Sequence, residues 1–126
     1  MTESLVYNKS KAFAIRVVKL YKWLIEEKRE FVISKQCLRC GTSIGANLAE
    51  ALCGLSRPDF TFKLHISLKE ANETLYWLEL LKETDYITTE MYDSLNKDCL
   101  ELVKMLTSII VTTKQNDKMQ SDKTMM

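Results

Sequence analysis

Turn formers are nearly missing from this chain: one proline and three glycines occur in 126 residues. Sandwiches and barrels need a turn signal about every 8–12 residues, so this scarcity excludes a strand-rich fold and leaves helices. Long apolar runs are also lacking. No segment approaches the roughly 20 apolar residues of a membrane span, and the opening MTESLVYNKSKAF holds no uninterrupted apolar stretch of the kind a secretory signal requires. The cytoplasm is therefore the expected compartment, where the four cysteines stay reduced. Neither sign of charge prevails: 18 Lys and Arg stand against 17 Asp and Glu, a formal net of +1. No global field marks the chain for nucleic acid or lipid. Only one histidine is present, so the paired Glu-x-x-His motifs of di-metal bundles cannot be assembled. Nor does an acidic residue sit one helical turn from His65 to build a triad.

What is present is helical periodicity. A first helix is expected over residues 8–28, with Phe13, Val17, Leu20 and Leu24 in the 4-3-4 spacing of a bundle seam. Ser34 is the expected N-cap of a second helix that ends near Gly54. Ser56, Pro58 and Asp59 then form a start signal resembling a capping box. The third helix carries Phe60, Leu64, Leu68, Ala71, Leu75 and Leu78 and ends near Glu83. Thr88 or Thr89 caps a fourth, in which Tyr92, Leu95, Cys99, Leu102, Leu106 and Ile109 repeat the spacing as far as Thr113. Residues 114–126 show no periodicity and are expected to form a disordered tail. The fold class is all-α: one up-and-down antiparallel four-helix bundle over residues 1–113.

The chain is organised around residues 34–51, SKQCLRCGTSIGANLAEA. At about 100° per residue, Cys37, Ile44, Leu48 and Ala51 share one narrow core arc. Gly41, Gly45 and Ala49 line one flank at four-residue spacing and would let another helix approach closely. Two glycines in a helix interior cost about 1 kcal/mol each relative to alanine, and close packing is what can offset them. Arg39, Ser43, Asn47 and Glu50 line the other flank as a polar stripe, of which Asn47 and Glu50 are expected to form a hydrogen-bonded network with Lys69 or Glu73 that fixes helix register.

Other constellations carry less. Cys37-Leu38-Arg39-Cys40 is a C-x-x-C, but zinc needs four converging ligands, and Cys53 lies about 20 Å further on at 1.5 Å per residue. A place in the first helical turn would lower the Cys37 pKa. The βαβ setting of redox pairs is absent, however, so small buried thiols are expected. Glu50, Glu70 and Glu73 could pair for acid–base work only in a cleft, which a short bundle does not offer. No metal, cofactor or enzymatic activity is expected.

Charge is uneven along the chain. Residues 1–35 hold eight Lys and Arg against four Glu, a net of +4, whereas residues 71–105 hold three Lys against eight Asp and Glu, a net of −5. Lys9, Arg16 and Lys19, with Lys22 nearby, form a basic face on the first helix. Repeated around an oligomer, such a face becomes a basic belt able to engage phosphates additively.

Residues 39–51, RCGTSIGANLAEA, closely resemble the signature of the four-helix-bundle family named for the 23S rRNA-intervening sequence proteins. Phe13-Ala14-Ile15-Arg16 with Leu20-Tyr21, Asp59-Phe60, and Lys69-Glu70-Ala71-Asn72-Glu73-Thr74 with Tyr76-Trp77-Leu78 agree as well. The resemblance implies a bacterial bundle assembling as a ring-shaped homopentamer. It also implies kinship with the basic, nucleic-acid-binding accessory proteins of diversity-generating retroelements. It brings no catalytic residues. Cys40 stands where serine is usual, and the chain is nearly neutral where that basic branch is not. Two functions follow as expectations. One is a non-enzymatic oligomer that binds structured RNA or a nucleoprotein through Lys9, Arg16, Lys19 and Lys22. The alternative is a protein–protein adaptor without nucleic-acid affinity.

Overall fold

A computed structural model describes residues 2–125. Four helices follow in order: α1 Thr2–Glu27, α2 Ile33–Ala51, α3 Arg57–Glu83 and α4 Thr89–Met125. Each packs on its two neighbours around a square, and no Cα of α1 comes within 8 Å of one in α3, nor any of α2 near α4. That is the up-and-down bundle expected from short connections. Its core takes Phe13, Val17, Leu20 and Leu24 from α1 and Cys37, Ile44 and Leu48 from α2. Leu64, Ala71 and Leu78 of α3 meet Leu95, Cys99, Leu102 and Leu106 of α4.

Four boundaries differ from the sequence expectation, each for a local reason. α1 begins at Thr2, because fully buried Val6 and Ser10 extend its seam toward the N-terminus. Ser34 is not the cap of α2. The Glu30 carboxylate takes that role, accepting from the amides of Val32 (3.0 Å), Ile33 (2.8 Å) and Ser34 (2.6 Å). Ser34 Oγ instead donates back to the Glu30 carbonyl at 2.7 Å. α2 then ends at Ala51, leaving Cys53 and Gly54 in the turn, with Gly54 at φ 78. Finally, α4 continues to Met125 where a disordered tail was expected from Lys114, since no proline or glycine interrupts it. The caps of α3 and α4 stand where the sequence puts them: Ser56 Oγ accepts from Asp59 N at 3.4 Å, and Thr88 Oγ1 from Met91 N at 3.1 Å.

Past Thr113 the side chains described on α4 are all exposed, and the Arg57–Asp117 ion pair at 2.6 Å joins this extension to α3. Exposed pairs contribute about 0–1 kcal/mol, and one kcal/mol is about 4 °C for a chain of this size. Removing residues 114–126 is therefore expected to change Tm by less than about 4 °C. Scanning calorimetry of the truncated chain checks this, and a larger fall would mean that the extension packs on the bundle.

Candidate nucleic-acid interface

The polar and cationic groups fall into two sets on different sides of the bundle. The first set lies on α1. Lys9 Nζ pairs with Glu101 of α4 at 2.8 Å, and Arg16 Nη1 with Asp98 at 2.7 Å. Arg16 also donates to the carbonyl (3.3 Å) and hydroxyl (2.8 Å) of Ser94, so its guanidinium is held against α4 by one chain's own residues. The complementarity between a basic first helix and an acidic fourth is thus partly satisfied inside one subunit. Lys11, Lys19 and Lys22 form no ion pair among the described residues. With Ala14, Ile15 and Val18 they line a shallow depression of about 330 Å³ on the outer face of α1. Ile15 is 51% exposed at its centre.

This divides the four expected cations and adds one. At about 100° per residue, Lys9 and Arg16 lie on the α4 side of the core arc, within reach of the neighbouring helix. Lys11 and Lys22 stand nearly opposite that arc, and Lys19 beside them. The missed residue, Lys11, was signalled by its spacing to Ile15, Val18 and Lys22.

The second set lies between α2 and α3. Arg39 pairs with Glu70 at 3.4 Å and, more closely, with Glu73, whose Oε1 also accepts from Trp77 Nε1 at 3.3 Å. Glu50 pairs with Lys63 at 2.6 Å rather than with Lys69 or Glu73. Asn47 and Ser43 turn inward on their own helix, bonding the carbonyls of Ser43 (2.8 Å) and Arg39 (2.6 Å). The stripe therefore bridges helices only at its two ends. Its opposite flank is where α1 comes close. A Cβ on Gly41 would stand 2.9 Å from both Val17 methyls, and one on Gly45 would stand 3.0 Å from Ser10 Oγ. Ala49, next along, is half-buried.

Cys37, Cys40 and Cys99 are buried, and burial pushes all three thiols up, that of Cys99 to about 12. This reverses the lowering expected for Cys37 at a helix start, because loss of hydration outweighs the dipole. A disulfide needs Cα atoms about 4.4–6.8 Å apart, and no α2–α4 pair lies within 8 Å, so Cys99 cannot bridge to either. No group of three or more His, Cys, Asp or Glu among the described residues is placed to hold a metal ion. His65 is exposed on α3, and no helix of the described residues is long and apolar enough to cross a membrane.

Comparison with known proteins agrees with this architecture. The family model described as 23S rRNA-intervening sequence protein matches residues 2–108. A crystal structure from Bacteroides thetaiotaomicron, of a protein with unknown function in the S23 ribosomal protein family, superposes with a TM-score of 0.86. It is 59% identical, and the match covers 87% of this chain and 98% of that one. Curated proteins furnish no match.

Proposed function

Because the chain belongs to the 23S rRNA-intervening sequence protein family, we propose that it is a non-enzymatic, homo-oligomeric bundle that binds structured RNA through α1. The observation that carries this reading is the trio Lys11, Lys19 and Lys22, cations without acidic partners among the described residues, around the exposed Ile15. Phosphate contacts add with each cation engaged and weaken with salt. Three lysines per subunit are few, so repetition of the face in an oligomer supplies the affinity. Lys9 and Arg16, already engaged with α4, contribute less than their sequence positions imply.

The test is fluorescence anisotropy of a structured RNA at low and at physiological salt. Lys19→Glu/Lys22→Glu is expected to weaken binding at least about tenfold and to flatten its salt dependence. Lys9→Ala is expected to leave both nearly unchanged. Equal binding by wild type and the double variant would remove α1 from the account. The near-neutral net charge of +1 favours the second reading, a protein–protein adaptor. That reading gains if no RNA binds even at low salt.

A further inference from the structure

Beside the lysine depression, α1 borders a second hollow. A groove of about 340 Å³ runs between α1 and α4, lined by Arg16, Lys19, Leu20, Trp23, Met91 and Leu95. Lys19 lines both hollows, so they adjoin along the helix. Leu20 and Leu95 belong to the buried core and form the floor. Trp23 packs against that core and is half-buried, yet its ring is reached from solvent: exposed Lys28 holds its ammonium 5.3 Å from the ring centroid. The Nε1–H of Trp23 has no acceptor among the described residues and is not sealed from solvent. The other tryptophan differs on both counts. Trp77 donates to Glu73 at 3.3 Å, and Tyr76 stands edge-on to its ring with 4.9 Å between centroids, so its N–H and its ring are already taken.

The lining sets the class of ligand. It offers an aromatic surface, an apolar floor and two cations, and it contains no Asp or Glu. Arg16 is fixed in place by Asp98 and Ser94, whereas Lys19 forms no ion pair among the described residues. A flat aromatic body carrying negative charge satisfies all of these groups at once, and a nucleotide is such a body. We propose that Trp23 is a stacking platform for one unpaired base of RNA, with the attached phosphate on Lys19 and the adjoining phosphates on Lys11 and Lys22. The proposal rests on the reading of α1 as an RNA-binding face and narrows it to RNA with unpaired nucleotides. A base inside a duplex is stacked between its neighbours and cannot reach a side chain, whereas a loop or bulge can splay one out. Every residue of the groove belongs to one chain, so the platform is complete within a single subunit.

The experiment compares two RNAs with equal numbers of phosphates, a hairpin with a loop of unpaired adenosines and a blunt duplex, at low salt. Tryptophan emission and anisotropy are read for wild type, Trp23→Leu and Lys19→Glu/Lys22→Glu. Leucine keeps an apolar side chain on the core and removes only the platform. The hairpin should quench wild-type emission more than the duplex does, and Trp23→Leu should abolish the excess. The same variant should bind the hairpin at least about fivefold more weakly, the scale of one base stacked on an aromatic ring, and bind the duplex unchanged. Equal quenching by the two RNAs overturns the platform, as does an equal loss of affinity for both in Trp23→Leu, which is what a merely structural role would give. Should Trp23→Leu fail to fold, the wild-type quenching comparison decides alone. The failure of the wider reading looks different. If the lysine double variant weakens binding while hairpin and duplex behave alike toward Trp23, the platform falls and the lysine face stands. If neither RNA binds, both fall.

Discussion

Gly41→Val is expected to lower Tm by about 10 °C or more, the product of roughly 3 kcal/mol of overpacking and about 4 °C per kcal/mol. Two effects oppose each other at this position. Any residue with a Cβ other than proline gains helix propensity over glycine, about 1 kcal/mol for alanine. Against that, a Cβ would stand 2.9 Å from both methyls of Val17, a fully buried β-branched side chain with no free rotamer to retreat to. Alanine should therefore already destabilise, by about 1–2 kcal/mol net, and valine more. The neighbouring glycine provides the control. At Gly45 the facing atom is the Ser10 hydroxyl at 3.0 Å, whose bond to the Tyr7 carbonyl can be exchanged. Gly45→Ala should stay within about 1 kcal/mol of wild type. Thermal unfolding of the three variants at equal protein concentration decides the matter. Rescue of Gly41→Ala by Val17→Ala would locate the strain at that contact, whereas a fully stable Gly41→Val would show that α1 and α2 do not need their close approach.

Glu30→Gln is expected to cost about 2 kcal/mol at neutral pH, from weakened bonds between a buried carboxylate and three backbone amides. The pH dependence follows from the same contacts. Burial raises the pKa of Glu30, but the amides of Ser34, Ile33 and Val32 together outweigh it, and the net shift is downward. A carboxyl with a depressed folded-state pKa contributes stability above its unfolded value, near 4.5, and loses it as pH falls through the folded value. The difference in Tm between wild type and Glu30→Gln should therefore be full at pH 7, about 8 °C. It should shrink progressively below pH 4.5. Because other acid effects act on both proteins, the difference isolates this residue. A gap that stayed constant down to pH 3 would show that the charge of Glu30 is not what caps α2.

Much of the bundle was legible in the residues themselves. Phe13, Val17, Leu20 and Leu24, and likewise Leu95, Cys99, Leu102 and Leu106, occupy the core that their 3-4 spacing assigns. On α3 the spacing found the inner face, with Leu64, Ala71 and Leu78 in the core and Phe60, Leu68 and Leu75 packed against it, but not every buried residue. Leu68 and Leu75 are only half-buried, while Ser67 and Thr74 are fully buried. Their hydroxyls donate to the carbonyls of Ile44 (2.8 Å) and Glu70 (2.8 Å), and Cys40 Sγ lies 3.1 Å from Thr74 Oγ1. A hydroxyl on a core face looks outward-facing in a hydropathy pattern until an acceptor on the facing helix is known.

The same distinction runs through the candidate site. Helical periodicity, capping residues and the glycine pair are local properties, set by 3.6 residues per turn and by backbone sterics, so sequence alone determined four helices, their order and the flank on which α2 is approached closely. Which helix approaches, and which charges remain free, depends on distances between segments far apart in the chain. Only the tertiary structure decided that Val17 and Ser10 fill the space left by Gly41 and Gly45. Only there did Lys9 and Arg16 find Glu101 and Asp98 while Lys19 and Lys22 found no acidic partner among the described residues. An ion pair forms where packing brings two side chains within about 4 Å, and neither residue's own neighbours in sequence carry that information.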